Sequence, residues 1–201
     1  MSESAPSPRI VRKEIPPKYF FAHRKYLPYL LKDFDNRCAY SQQHLQRAGG
    51  PGSLDIDHHN PTLQLPERNY YENLHLSTRH CNGKKGKRWP TKEQKELGIR
   101  FLDPCKEPDY GVHMFEDPNT FKVWGATPAG RYHIRMLDLN ADHFIRERMR
   151  RFELWKLAES EAIFTATGSA VDAHGGVTAF KNELLEMIPL IPQKEKPPEV
   201  L

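Results

Sequence analysis

The sequence predicts an α+β fold on three observations. Residues 54–57 and 74–76 alternate apolar and polar side chains, which is the pattern of half-buried strands. A serine and a threonine after the second piece can cap a short helix that follows it directly. Apolar residues also recur at helical spacing over residues 19–34 and 139–161. Strands and helices therefore occupy separate runs of the chain, as α+β folds require.

Composition narrows the class of protein. The chain has 201 residues, of which 38% are hydrophobic, which is enough for one domain with a substantial core. No apolar run reaches the roughly 18 residues of a membrane helix, and no signal-peptide stretch follows the first methionine. Three cysteines do not make a disulfide framework, and a net charge of +4 is compatible with a nucleic-acid partner. We therefore expect a cytoplasmic protein that has no membrane partner.

The N-terminal part contains a loose segment and then a helical one. Residues 1–18 are rich in Ser, Pro and charge and predict a loose arm. Residues 19–34 predict a helical arm in which Pro28 marks a kink or a break. A strand over residues 37–40 and a glycine-rich loop then lead to the first alternating piece.

The second half predicts more strands before its long helix. A short exposed helix is expected over residues 91–97, ended by a glycine. Residues 112–116, 121–126 and 131–137 then predict a β-hairpin or a three-stranded meander, separated by two proline-containing turns.

The C-terminal part predicts helices and then a tail. The helix over residues 139–161 has a flank of four arginines, which is either a solvated face or an interaction surface. A last helix is expected over residues 179–188. The predicted units are thus a loose arm (1–18), a central domain (19–98), a β-plus-helix extension (99–188) and a disordered tail (189–201).

Four polar side chains are expected to converge between the two alternating pieces and the capped helix. Asp57 and the side-chain oxygen of Asn82 are hard ligands, of the kind that Mg²⁺ or Mn²⁺ prefers. His58 can take a proton from water near neutral pH, and Asn73 can hold the loop and orient His58. The set suits metal-assisted hydrolysis of a phosphodiester. In an alternative interpretation, Asp57-His58-His59 is a surface turn and Asn82 is a helix C-cap before Gly83. It would explain each residue singly, but not their joint spacing.

A basic run follows the proposed metal ligand Asn82 directly. Runs of charge often form only a solvated face. This one leaves the capped helix where a nucleic-acid backbone would have to pass, so it predicts phosphate contacts. Its members are Lys84, Lys85, Lys87 and Arg88.

These motifs resemble those of the HNH endonuclease family. The pattern Asp-His-x-x-Pro, Asn-Leu and Cys-Asn-x-x-Lys-Gly lies within residues 38–86. The resemblance implies a ββα-metal core with Asp57 and Asn82 as metal ligands, His58 as general base and Asn73 as the structural asparagine. It also implies Mg²⁺ or Mn²⁺ as cofactor and DNA as substrate, with RNA left open. Zn²⁺ at the catalytic site stays open as well, with His59 treated as an outer residue.

The family often adds a structural zinc site between two Cys-x-x-Cys pairs, and here one ligand of each pair is missing. The first pair reads Cys38-Ala39-Tyr40-Ser41 and the second Thr78-Arg79-His80-Cys81. Structural zinc requires four thiolate or imidazole ligands. Cys38 and Cys81 therefore predict a relic zinc site, packed as a small apolar cluster, and structural Zn²⁺ is not expected.

The order of elements over the whole chain looks like that of small HNH nuclease subunits from bacterial anti-phage systems of the Septu and retron-associated types. That likeness implies a bacterial cytoplasmic protein held by an ATPase partner, with residues 99–160 as a docking surface. Three functions stay open at this point. They are a one-metal DNA endonuclease, a nuclease silent until its partner releases it, and a nucleic-acid-binding adaptor that does not cleave.

Overall fold

The computed structural model describes residues 7–166 and 194–197, and this part of the chain is a mixed α+β structure, as predicted. Its helices are α1 (Leu27–Asp33), α2 (Arg79–Lys85), α3 (Lys92–Glu96), α4 (Pro128–Leu137) and α5 (Asp142–Ala166). Its strands are β1 (Leu54–His58), β2 (Leu74–Thr78), β3 (Met114–Glu116) and β4 (Val123–Gly125). Single 3₁₀ turns lie at His23–Tyr26, Glu67–Asn69 and Tyr71–Asn73. No helix in the described ranges is long and apolar enough to cross a membrane.

The first sheet consists of β1 and β2, which pair antiparallel with Leu54 opposite Thr78 and Asp57 opposite His75. Both strands and the short helix after them were predicted and are confirmed. The side chain of Thr78 accepts a hydrogen bond from the backbone N–H of Cys81, which caps the first turn of α2. Since the helix begins directly after β2, it packs back against both strands.

The buried hydrophobic residues form one continuous cluster from the N-terminal segment to α5. β2 is buried along its whole length, with Leu74 and Leu76 fully inaccessible to solvent. Leu30 of α1 and Leu137 of α4 are equally buried, so both halves of the chain contribute to the same core. Each fully buried leucine stabilises the fold by about 1.5–3 kcal/mol relative to its exposed state.

The prediction of a loose arm is wrong for the described part of residues 1–18. Ile10 is buried, and Arg9 forms an ion pair of 2.8 Å with Asp109. The backbone N–H groups of residues 13 and 14 donate to Asp33 Oδ1 at 2.7 and 2.8 Å. Buried carboxylates need such partners, and the N-terminal segment supplies them. The composition of this segment shows that it is polar. It does not show that buried carboxylates elsewhere in the chain accept its hydrogen bonds and fix it in place.

The predicted strand over residues 37–40 is also wrong, because the chain turns there. Asn36 and Gln42 have positive φ angles of 56° and 61°, which interrupts an extended conformation. A single bridge joins Arg37 to His44, and Ala39 N donates to Leu76 O on β2. The turn is therefore fixed to the first sheet without extending it.

The helical arm is shorter than predicted. Of residues 19–34, α1 covers Leu27–Asp33 and a 3₁₀ turn precedes it at His23–Tyr26. Pro28 lies in the first turn of α1, where the missing N–H has no helical partner to lose. The proline therefore marks the start of a helix rather than a kink within one.

The described part of the extension contains a hairpin and two helices. β3 and β4 pair antiparallel, which confirms the first two predicted strands in shortened form. The third, over residues 131–137, is wrong because this stretch lies in α4, which Thr127 caps by accepting from Gly130 N. The alternation of apolar residues there competes with a cap and a proline that start a helix. The exposed helix before the extension and the long helix within it are confirmed as α3 and α5.

The C-terminal predictions are only partly covered by the structure. The helix expected over residues 179–188 lies outside the described residues. Within the predicted disordered tail, residues 194–197 lie against the hairpin, since Lys194 N donates to Glu116 O and Trp124 Nε1 donates to Lys194 O. These contacts place the described part of the tail beside β3 and β4.

Candidate active site

Asp57 is buried at the end of β1 with both carboxylate oxygens engaged. Its side chain accepts a hydrogen bond from the Tyr40 hydroxyl at 2.5 Å on Oδ2 and from Lys85 Nζ at 3.0 Å on Oδ1. Lys85 Nζ also donates to the backbone oxygen of His58 at 2.6 Å. Burial lowers the pKa of Lys85, and the neighbouring carboxylate opposes that shift. The negative charge of Asp57 is therefore compensated inside the protein.

The expectation that Lys85 belongs to an exposed basic run is wrong. Its side chain has no exposed surface because α2 places it three residues after Asn82, on the face that packs against β1. The other members of the run do reach the surface. Lys84 has a half-exposed side chain that pairs with Asp138 at 2.8 Å, and Lys87 and Arg88 are exposed.

His58 is half-buried, and its ring is oriented by Asn69. Asn69 Nδ2 donates to Phe21 O at 2.8 Å, so its Oδ1 faces His58 Nε2 at 2.9 Å. A carbonyl oxygen can only accept, so Nε2 carries the hydrogen and Nδ1 carries the lone pair. The ring of His23 packs edge-on against the His58 ring, with centroids 4.9 Å apart. Nδ1 is therefore the nitrogen of His58 that can accept a proton.

Asn73 holds the loop between the strands, as expected, but it does not orient His58. Its Nδ2 donates to the backbone oxygens of Asn60 and Arg68 at 3.1 and 2.9 Å. Its Oδ1 accepts from Asn60 N at 2.8 Å. In the described part of the chain the side-chain partner of His58 is Asn69, which sequence reasoning missed. Asn69 is one polar residue within a polar loop, and nothing in the sequence distinguishes it from its neighbours as the partner of His58.

Asn82 lies within α2, on the helix that packs against the strand of Asp57 and His58. The helix continues to Lys85, so Asn82 is not a C-cap before Gly83, and Asp57 lies in a strand rather than a surface turn. The alternative that explained these residues singly is therefore wrong. A carboxylate and an amide oxygen have the donor chemistry that Mg²⁺ requires. A metal ion and the ammonium of Lys85 would compete for the same oxygens of Asp57.

The four positions of the two degenerate cysteine pairs do come together. Cys38 Sγ lies 3.8 Å from Thr78 Oγ1 and accepts from Ser41 N at 3.4 Å. Both Cys38 and Cys81 are fully buried, and burial together with Cys38 raises the pKa of the Cys81 thiol. Hydroxyl groups thus stand where the family's pattern has two further ligands.

A group with metal-ligand spacing lies elsewhere in the described residues. It consists of His59, His75 and Asp103, all of them buried. Sequence reasoning kept His59 outside the metal set and did not weigh the other two. His75 did offer a signal, since an imidazole between two core leucines of a strand needs a polar partner in the interior.

Comparison of the chain with protein-family models, with curated proteins and with solved structures found no match.

Proposed function

We propose that the chain is a metal-dependent endonuclease of the HNH type that hydrolyses DNA phosphodiester bonds. The observation that carries this proposal is the orientation of His58. Asn69 fixes its Nε2 as a donor, which leaves Nδ1 as a proton acceptor directly after the buried carboxylate of Asp57. A second oxygen ligand, Asn82, lies on the helix packed against the same strand. A base and two oxygen donors are the parts that this chemistry needs.

Each residue has a distinct role in the proposed reaction. Asp57 and Asn82 would hold Mg²⁺ or Mn²⁺, and the bound ion would supply polarisation of the scissile phosphate and stabilisation of the departing oxygen. His58 Nδ1 accepts a proton from the attacking water while Asn69 keeps the ring in place. Lys84 and Lys87, which follow Asn82 in the chain, have exposed side chains and would contact the substrate backbone without reading its sequence.

A gated form of the same activity is supported by the contacts of Asp57. Lys85 and Tyr40 engage both of its oxygens, so a metal ion would have to compete with the buried ammonium for this carboxylate. A subunit of this kind stays silent until a partner or the substrate moves Lys85. The likeness to nuclease subunits of anti-phage systems makes an ATPase the partner to test first.

The decisive experiment is cleavage of a supercoiled plasmid by the purified chain in EDTA, Mg²⁺, Mn²⁺ and Zn²⁺. We expect metal-dependent nicking or linearisation that falls by about 10²–10⁴-fold in His58→Ala, the usual contribution of a general base. His44→Ala is the matched control, since His44 lies before β1, where its backbone pairs with Arg37.

The outcomes of this assay separate the three functions. Cleavage by the isolated chain supports the proposal without a partner. Cleavage that needs a co-purified product of a neighbouring gene supports the gated form. DNA binding without cleavage in any metal or complex would favour an adaptor. Undiminished cleavage by His58→Ala would contradict the assigned base.

A further inference from the structure

Three buried side chains outside the proposed catalytic set converge on one point. His59 follows β1, His75 lies in β2, and Asp103 lies in the segment that leads to the hairpin. Their ligand atoms all lie within 4.8 Å of one another, and the residues are 8%, 0% and 5% exposed. Two imidazoles and a carboxylate brought together from separate segments form a metal-type donor set.

Several polar atoms of this cluster lack hydrogen-bond partners. His59 Nδ1 and His75 Nε2 are buried and have none. Asp103 Oδ2 has none either, although Lys106 Nζ lies 3.2 Å from it. Native proteins pair nearly all buried polar groups, so two unpaired imidazole nitrogens beside a buried carboxylate indicate a missing partner. A cation at their centre would be coordinated by all three side chains.

The orientation of His75 fits a metal ligand. Tyr40 gives its hydroxyl hydrogen to Asp57, so its oxygen accepts from His75 Nδ1 at 3.3 Å. In the neutral ring the other nitrogen, Nε2, then carries a lone pair and lies 3.2 Å from Asp103 Oδ1, a contact that becomes a hydrogen bond only if the ring is protonated. Ligands aimed at a common ion are placed in this way, because they point to the ion rather than at each other. At bond lengths of about 2.0–2.1 Å, tetrahedral ligands lie roughly 3.3–3.4 Å apart.

The surroundings supply what metal-bound histidines normally have. Tyr40 fixes the second ring nitrogen of His75, as outer-shell partners do in known metal sites. His59 and Asp103 line a solvent-open groove of about 650 Å³, so a water molecule can take a fourth position. Imidazole-rich donor sets favour Zn²⁺ and its neighbours among the transition metals over Mg²⁺. We propose that His59, His75 and Asp103 bind one Zn²⁺ ion, separate from the metal proposed for the catalytic site.

The test is the metal content of the full chain after incubation with Zn²⁺ and extensive dialysis, read by mass spectrometry of the elements. We expect one bound ion per chain in the wild type, and affinity at least about tenfold weaker in His59→Ala and in Asp103→Asn. Cobalt substitution gives a second readout, since four-coordinate Co²⁺ absorbs in the visible range and the bands should change in His59→Ala. Far-UV circular dichroism checks that each variant is folded.

Two control variants keep the assignment specific. Asn82→Ala changes a proposed catalytic ligand that takes no part in the Asp57–Tyr40–His75 contacts, and it should retain the ion. His133→Gln changes a buried imidazole whose Nδ1 already accepts from Leu102 N at 3.0 Å, and it should also retain the ion. An ion-free wild type, or an ion retained in folded His59→Ala and Asp103→Asn, would overturn the site. Loss in Asn82→Ala would assign the ion to the catalytic position. No DNA is involved, so the result is independent of the nuclease proposal.

Discussion

Asp57 and Lys85 form an ion pair whose two side chains have almost no exposed surface. Such a pair contributes little net stability when intact, but removing one partner leaves an uncompensated charge in the interior. The ammonium of Lys85 thus does for Asp57 what a metal ion would do in the proposed active form. Substituting Lys85 alone should therefore distinguish the state in which Asp57 pairs with the ammonium from the state in which it binds a metal ion.

We predict that Lys85→Met lowers the free energy of unfolding by about 3–5 kcal/mol in EDTA, because Asp57 loses its buried partner. Mg²⁺ should raise the melting temperature of this variant more than that of the wild type, since the carboxylate is then free to bind the ion. Thermal denaturation with EDTA and with Mg²⁺ measures both effects. The control is Lys84→Met, whose half-exposed pair with Asp138 is worth about 0–1 kcal/mol. Equal stability of the two variants would contradict the prediction.

The sequence predicted the positions of some of these residues correctly and of others incorrectly. Asp57, His58 and Asn82 were placed on adjoining elements correctly, because alternation and capping define β1, β2 and α2 locally. Asn69 was missed because its partner is set by the path of a loop. Lys85 was misassigned because its neighbours are basic and exposed, although its spacing of three from Asn82 indicated the inner face of the helix.

At the scale of elements, β4 and α4 come close enough to require glycine. A Cβ atom on Gly130 would lie 2.0 Å from the backbone oxygen of His113, and one on Gly125 would lie 2.3 Å from Arg131 N. Both neighbours are backbone atoms, which cannot rotate away as a side chain could. The sequence indicates a turn at this point, but the close approach depends on how the helix packs on the hairpin.

We predict that Gly130→Ala destabilises the protein by about 1–3 kcal/mol or more, since the added methyl group forces α4 away from the segment before β3. Gly83→Ala is the matched control in α2, where nothing lies within 4 Å of the new methyl group. It should instead stabilise by about 0.5–1 kcal/mol, the ordinary gain of alanine over glycine in a helix. Urea denaturation of both variants measures the difference. Equal effects would show that α4 can shift without loss.

At the scale of the whole molecule, the N-terminal segment joins parts that are distant in sequence. Arg9 donates to the backbone oxygen of Ala39, in the turn before β1, and to the carboxylate of Asp109, ahead of the hairpin. Burial alone would raise the pKa of Asp109, and Arg9 outweighs it, so this pKa lies below its usual value. The carboxylate therefore contributes stability above its unfolded pKa of about 3.9, which is lost as the pH falls through the folded value.

We predict that Arg9→Met lowers the free energy of unfolding by about 3–5 kcal/mol at pH 7, and by less at pH 5. Without the guanidinium, burial is opposed only by the smaller effects of the Tyr110 N–H and His133, so the folded pKa of Asp109 rises above the unfolded value and acid relieves the unpaired charge. Urea denaturation of variant and wild type at both pH values gives the difference, in which other titrating groups cancel. Lys32→Met, which removes an exposed pair with Glu14, should cost about 0–1 kcal/mol at either pH. A penalty for Arg9→Met that is the same at pH 5 and pH 7 would show that Asp109 is not its electrostatic partner.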